Sequence, residues 1–221
     1  MPTLVRTART TGLFYLGLAI SGGLGFLYLR PRLYVVDDPA ATLANVVGHP
    51  SLARLGIALE LLVILTQVLT ALWFYRLFRS TDQFAAGGIA VFGTVNAVAV
   101  LVSAALLASA VEVAARPIAD ADTVQLLYIV SGNLWGVGAL FFGLWLIPMG
   151  WCVLRSRMMP RPLGWILIAG GGGYVLSAFV AYLAPGAPVV ADALTVPASV
   201  GEFWMVGYLL VRGVRRAMPG G

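Results

Sequence analysis

The chain has no lysine and few charges of any kind. All fourteen basic residues are arginine, and charged residues make up 10% of the 221 positions, whereas a soluble globular domain carries about 25%. The absence of a lysine amine excludes a Schiff base with retinal or pyridoxal phosphate. The scarcity of charge indicates that lipid, rather than water, surrounds most of the chain.

Cysteine and histidine are almost absent as well. Cys152 is the only cysteine, so no disulfide can form within the chain. His49 is the only histidine, which excludes bis-histidine haem ligation and a His/Cys zinc cluster in one chain. The motifs G-x-S-x-G and H-E-x-x-H do not occur. We therefore expect no metal, no cofactor and no nucleophilic catalysis, and we do not expect an enzyme.

Long apolar runs are what the chain has in abundance, since 60% of its residues are hydrophobic. The runs lack the strict alternation that barrel strands require. They predict an all-α polytopic membrane protein, with six transmembrane helices in a bundle that forms one domain over residues 1–221. The predicted spans are 11–29, 51–78, 84–111, 123–154, 162–183 and 196–211. The first follows two arginines, as in a signal peptide, but no small-residue cleavage site comes after it, so we expect a retained span.

The arginines are distributed unevenly along the predicted topology. Ten of the fourteen fall at the N-terminus, at the C-terminus or in the second and fourth connections, whereas the acidic residues of the connections lie mostly on the other side. The positive-inside rule then predicts that both termini are cytoplasmic, in a bacterial inner membrane. Because the arginines lie at span ends rather than on one face among aromatics, we expect lipid and not nucleic acid as partner. The expected headgroup contacts are Arg155, Arg157 and Arg161.

The first outer connection contains a helix pattern of its own. Asp38 can cap a helix, Pro39 suits its first turn and Gly48 suits its end. Apolar residues recur between them at helical spacing: Ala40, Leu43, Val46 and Val47. The pattern predicts a short amphipathic helix at the outer interface. By the same reasoning, Asp122 is expected to cap the fourth span.

Polar side chains occur inside the predicted spans at matching depths. Glu60 lies nine residues into the second span, about 13 Å below its outer end. Gln67 follows seven residues later and shares its face, and Asn96 and Ser103 have the same spacing on the antiparallel third span. An ionised side chain at a span centre costs about 2.5–3.5 kcal/mol. Because this cost favours pairing between polar side chains at equal depth, we expect two polar pairs across the spans, called rungs here: Glu60 with Ser103, and Gln67 with Asn96.

These residues, with others at a similar level, define a candidate site. The fourth span adds Tyr128, Ser131 and Asn133 near the Glu60 level, and Glu202 comes from the last span. We predict a polar pocket in the outer half of the bundle whose ligand-binding residues are Glu60, Gln67, Asn96, Ser103, Tyr128, Asn133 and Glu202. For Gln67, Asn96 and Ser103, interhelical hydrogen bonding that only holds the bundle together is the favoured explanation. Glu202 can equally well reach the interface.

Several stretches together resemble a bacterial membrane family. They are Arg54-Leu-Gly-Ile-Ala-Leu-Glu60, Phe141-Phe-Gly-Leu-Trp-Leu-Ile-Pro-Met-Gly150, Arg155-Ser-Arg-Met-Met-Pro-Arg-Pro-Leu-Gly164 and Val200-Gly-Glu202. The chain resembles domain of unknown function 4386 over nearly its whole length. The resemblance implies a small multi-span protein and carries no activity with it.

Three functions remain open at this point. The leading one is binding, sensing or transport of a small amphiphilic or cationic molecule through the Glu60 pocket. The second is a structural or accessory subunit of a membrane complex that holds no ligand. An intramembrane carboxylate enzyme is the third and least favoured.

Overall fold

The computed structural model describes residues 2–215, and helix dominates them. The α-helices are α1 (Pro2–Gly22), α2 (Arg30–Leu33), α3 (Pro39–Gly48), α4 (Pro50–Phe78), α5 (Gln83–Ala114), α6 (Ala121–Ser156), α7 (Arg161–Leu183) and α8 (Pro188–Val211). A π-helical segment, Gly23–Leu29, joins α1 to α2. No strand occurs in the part of the chain that the structure describes. Six helices are long and apolar enough to cross a membrane, which confirms the all-α polytopic class.

Most of these helices are longer than the predicted spans. α6 has 36 residues, or about 54 Å at 1.5 Å per residue, and so exceeds a hydrocarbon core of about 30 Å. α8 begins at Pro188, not near residue 196, and continues through Pro197. The helix therefore starts eight residues before the predicted span, because proline is well suited to the first helical turn and Pro188 supplies that start.

The short helix of the first connection is confirmed as α3. The carboxylate oxygen Oδ1 of Asp38 accepts a hydrogen bond from the Ala41 amide at 2.9 Å. Thr42 and Val46 are buried, while Val47 is exposed, so α3 packs through a narrower face than the apolar pattern indicated. At the start of α6, Asp120 rather than Asp122 caps the helix, since its carboxylate accepts from the Asp122 amide and from the Thr123 hydroxyl.

The chain divides into two compact units, which are described separately. Unit 1 comprises Met1–Leu16, Gln67–Asn96 and Ala139–Gly221, and unit 2 comprises Gly17–Thr66 and Ala97–Gly138. The expectation of one domain over residues 1–221 stays a prediction.

Unit 1 has a dense aromatic core. Trp145, Phe74 and Phe78 are fully buried. The Phe74 and Phe78 rings stack with centroids 6.0 Å apart, and Trp145 meets Phe74 edge to face at 6.3 Å. Trp145 therefore faces the interior, as its place well inside the fourth span predicts, and not an interface.

Within unit 1, α6 and α7 touch backbone to backbone at two levels. A Cβ on Gly150 would lie 2.5 Å from the Gly164 carbonyl oxygen, and one on Gly143 would lie 2.6 Å from that of Gly171. Glycines seven residues apart on each helix therefore pair in antiparallel register, and no other residue fits there. Gly171, in the glycine-rich stretch of α7, thus serves helix packing.

Unit 2 has an apolar core at the outer end of the predicted topology. Leu33, Val46, Ala53, Leu107, Ala110, Ala114, Val124 and Tyr128 form this cluster. The segment that leads to α3 is fixed by polar contacts, since Gln125 Nε2 donates to the Val35 carbonyl at 3.0 Å. The same oxygen also accepts from the Thr42 hydroxyl at 3.3 Å. This fixed layer lies beside the polar site of unit 2.

Candidate functional site

Glu60 is the centre of a polar cluster in unit 2. It lies on α4 and is 6% exposed. Its Oε1 accepts two hydrogen bonds at 3.0 Å, one from the Ser103 hydroxyl and one from the Trp135 indole N–H. Its Oε2 is buried and has no hydrogen-bond partner in the part of the chain described. One half of the carboxyl group is thus fully used and the other half is vacant.

Two serine hydroxyls connect Glu60 to Arg30. Ser103 Oγ and Ser131 Oγ lie 2.8 Å apart, and Arg30 Nη1 donates to Ser131 Oγ at 3.0 Å. The carboxylate and the guanidinium therefore share a hydrogen-bonded chain without forming a direct ion pair. Because arginine does not release its proton in proteins, the chain orients and balances charge and does not conduct protons toward Arg30.

Arg30 is held in a box of rings. Its guanidinium carbon lies 5.6 Å from the ring centroids of Phe26 and Tyr34 and 5.8 Å from that of Tyr128. Its Nη2 also donates to the Tyr128 carbonyl oxygen. Cation–π contacts of this kind stabilise a guanidinium that has lost part of its water. These contacts fix the Arg30 side chain inside unit 2. Without them, an arginine at this position would extend its guanidinium toward the lipid headgroups.

Glycine and π-helix shape the approach of Arg30. The π-helical segment Gly23–Leu29 ends directly before it, and π-helical turns occur frequently at functional sites. On the opposite side, a Cβ on Gly132 would lie 2.7 Å from Arg30 Nη2. Gly132 therefore makes room for the arginine.

A small cavity lies next to the cluster. Glu60, Arg30, Tyr128, Phe26 and Gly56 are among its lining residues. It holds about 20 Å³, which is enough for one water molecule. A Cβ on Gly56 would meet nothing within 4 Å. The cavity beside the cluster is therefore small, and Glu60 forms part of its wall.

Three of the predicted site residues come together here, and one does not. Glu60, Ser103 and Tyr128 meet as described, although Tyr128 takes part through its ring and carbonyl and not through its hydroxyl. Asn133 is exposed. It lies two residues beyond Ser131, or about 200° around α6, and so it faces away from the side that Ser131 occupies.

Gln67 and Asn96 lie in unit 1 and are fully buried. Both amide atoms of Gln67 and the Asn96 nitrogen lack hydrogen-bond partners within residues 2–215. The expected Gln67–Asn96 rung is therefore not formed. Buried amides without partners are rare in native proteins.

Glu202, also in unit 1, has a simpler environment. Its Oε1 accepts from the Tyr15 hydroxyl at 2.5 Å. The Tyr15 ring packs edge to face on Phe74 at 5.6 Å and on Trp145 at 5.5 Å. The contact ties the last helix to the aromatic core of unit 1.

Sequence reasoning missed two members of the Glu60 cluster. Arg30 follows directly after the predicted first span, 11–29, and neither it nor Trp135 was among the predicted site residues. Trp135 is four residues after Ser131 on α6, so helical spacing alone could have placed it beside the cluster. For Arg30 the available signal was the glycine-rich stretch before it, Gly22-Gly23-Leu24-Gly25, which is unusual directly before the end of a span.

The three predicted headgroup arginines are exposed between the end of α6 and the start of α7. Arg155 makes an ion pair with Asp82 at 2.7 Å. Across residues 2–215, no group of three or more histidine, cysteine, aspartate or glutamate side chains is placed to hold a metal ion.

The geometry defines a polytopic α-helical membrane protein with a charged, hydrogen-bonded cluster inside its apolar helices. The chain belongs to the family described as Domain of unknown function (DUF4386), which it matches over residues 10–213. No curated protein and no solved structure matches it.

Proposed function

We propose that this protein binds a small amphiphilic molecule at the Glu60 cavity, as a sensor or carrier in the membrane. The observation that supports this most is the Glu60 carboxyl group: Oε1 accepts two hydrogen bonds, while the buried Oε2 accepts none in the described chain. An unpaired carboxyl oxygen buried in an apolar site costs free energy unless a partner arrives. An intramembrane acid beside a cavity is a functional candidate for that reason.

The lining suggests which ligand chemistry fits. Glu60 offers an acceptor, Arg30 offers a fixed positive charge, and the remaining walls include Phe26, Leu29 and Leu107. A ligand with a hydroxyl or amine for Glu60 and an apolar body would satisfy these groups. Because about 20 Å³ is open, a bare cation or one polar group enters the closed site, and a larger body requires the walls to move.

A structural role is the second candidate. The small volume of the cavity favours it, as does the serine chain between Glu60 and Arg30. In that case one water molecule completes the network, and the polar cluster only fixes how the helices of unit 2 pack.

The proposed location is a bacterial inner membrane, with both termini in the cytoplasm. The distribution of arginines among the connections supports this orientation.

The test is native mass spectrometry with lipid and metabolite extraction on the full-length protein, wild type against Glu60→Gln. Glutamine keeps an acceptor for Ser103 and Trp135 but turns the vacant acceptor into a donor. We expect a defined bound species in the wild type and its loss in the variant. Gly56→Val should give the same loss, because its side chain enters the cavity from a position that is open.

Glu202→Gln is the matched control, since it makes the same change at another glutamate in an apolar helix, one that is not among the residues lining the Glu60 cavity. It should keep the bound species. If no species is present and Glu60→Gln lowers only the melting temperature, the structural role replaces the proposed one.

A further inference from the structure

A larger groove lies in unit 1, where α5 begins and α6 ends. We call it the α5–α6 groove. It holds about 790 Å³, a volume within the range of about 300–1,000 Å³ found for ligand sites. Its lining is apolar apart from Asp82, Gln83 and the Trp151 indole at one end, which we call its mouth.

The groove is deep because two of its lining residues are glycines, which have no side chain. Gly87 and Gly88 face it from α5, and Pro148 faces it from α6. A Cβ on Gly88 would lie 3.7 Å from Pro148, whereas one on Gly87 would meet nothing within 4 Å. The space over Gly87 is therefore open and would accept a larger side chain without displacing the backbone.

The length of the groove matches half a membrane. Its lining extends from Asp82, directly before α5, to Phe92 on that helix, ten residues or about 15 Å along a helix. The hydrocarbon core of a bilayer is about 30 Å thick, so one leaflet contributes half of that. The walls beyond the mouth are aliphatic or aromatic, among them Val91, Leu144 and Ile168. An acyl chain that enters from the mouth would lie along them.

The mouth carries one charge of each sign. Asp82 Oδ2 accepts from Arg155 Nη1 at 2.7 Å and from the Trp151 indole at 3.1 Å. The Arg155 side chain is 58% exposed and that of Asp82 is 17% exposed, so both ions remain accessible. A carboxylate beside a guanidinium complements a headgroup that carries both an ammonium and a phosphate.

We propose that the α5–α6 groove is a site for phosphatidylethanolamine, with an acyl chain in the groove, the ammonium group on Asp82 and the phosphate on Arg155. The site is separate from the Glu60 cavity in its residues and does not depend on the function proposed for that cavity. It narrows the general headgroup contact expected of the arginine-rich connection to one lipid class and one place.

The test is a lipid titration of the full-length protein in detergent, followed by native mass spectrometry. Phosphatidylethanolamine and phosphatidylglycerol with identical acyl chains are the two probes. We expect discrete binding of phosphatidylethanolamine in preference to phosphatidylglycerol. Gly87→Leu should weaken that binding by about tenfold, the factor that corresponds to roughly two buried methylenes displaced from the groove.

Two variants separate the groove from its mouth. Gly207→Leu makes the same change at another open position of unit 1, outside the groove, and should leave binding unchanged. Asp82→Asn keeps a helix-capping side chain but frees Arg155, so it should shift the preference toward phosphatidylglycerol.

Three outcomes would overturn the proposal: equal binding of both lipids by the wild type, equal weakening by Gly87→Leu and Gly207→Leu, or a dimer in the wild type that Gly87→Leu abolishes. The last would mean that a second copy of the chain fills the groove.

Discussion

Glu60 in unit 2 and Glu202 in unit 1 are glutamates in apolar helices with opposite surroundings. Glu202 bonds to Tyr15, whose ring belongs to the aromatic core. Glu60 joins a chain of hydroxyls that leads to Arg30 and lines a cavity with one oxygen unpaired. We therefore expect changes around Glu60 to alter both binding and stability, and changes at Tyr15 or Glu202 to alter stability alone.

Among the variants that test this contrast, replacement of Arg30 should change the free energy of unfolding most. Arg30→Met keeps much of the volume but leaves the Tyr128 carbonyl, Ser131 and, through the serines, Glu60 without their cation. We expect the free energy of unfolding to fall by about 3 kcal/mol. Thermal unfolding in detergent measures it. The double variant with Glu60→Gln should recover part of the loss, and strictly additive effects would show that the serine chain does not couple the two residues.

A single added methyl group should cost more stability in unit 1, where helices touch through their backbones, than beside the cavity of unit 2. Gly150→Ala in unit 1 places a Cβ against the Gly164 carbonyl and should lower the free energy of unfolding by about 2 kcal/mol. Gly56→Ala in unit 2 adds the same group to open space and should change it by less than about 0.5 kcal/mol. Melting temperatures of both variants, measured side by side, decide this. Equal losses would mean that the Gly56 side of the cavity is already filled.

Loss of the Tyr15 hydroxyl should affect stability alone. Tyr15→Phe removes the hydrogen bond to Glu202 and should cost about 1–2 kcal/mol. Glu202→Gln on that background should restore part of it, because an uncharged amide tolerates the apolar surroundings better. The bound species of the Glu60 cavity should be unchanged in both variants. If Tyr15→Phe abolished that species, the contrast between the two glutamates would be lost.

Asp82 should give the smallest effect, which is visible only in acid. The Ala85 backbone amide, which donates to its carboxylate, lowers the pKa of Asp82, and the Trp151 indole and Arg155 act in the same direction. A carboxyl group whose pKa is lowered by folding contributes stability above its unfolded pKa of about 3.9 and loses it as pH falls through the folded value. Melting temperatures between about pH 6 and pH 2 should therefore fall less steeply in Asp82→Asn. Parallel curves for variant and wild type would contradict this.

The sequence was sufficient for the elements whose cause is local or compositional. Hydropathy identified the six long helices, and the capping residue, proline and glycine around α3 identified that helix. Seven-residue spacing on antiparallel spans predicted that Ser103 would meet Glu60, and it does. It failed for Gln67 and Asn96, because equal depth does not fix which way a side chain turns.

The parts that the sequence did not predict depend on rotation and on backbone geometry. Asn133 and Ser131 lie at nearly the same depth, but a helix turns them to different faces. Arg30 reaches the cluster because a π-helical segment precedes it and Gly132 leaves room. The glycine-rich stretch at 22–25 was a signal for the first feature, but hydropathy and spacing do not fix the helix rotation that turns Arg30 toward Ser131.

The paired glycines of α6 and α7 limit how this protein can move. Shear between packed helices depends on side chains that change rotamer as the helices slide. At the level of Gly143 with Gly171 and again at Gly150 with Gly164, backbone meets backbone and no side chain intervenes. Sliding would drive each carbonyl into the neighbouring α-carbon at both levels at once. The part of α6 that belongs to unit 1 and its partner α7 are therefore expected to resist sliding past each other.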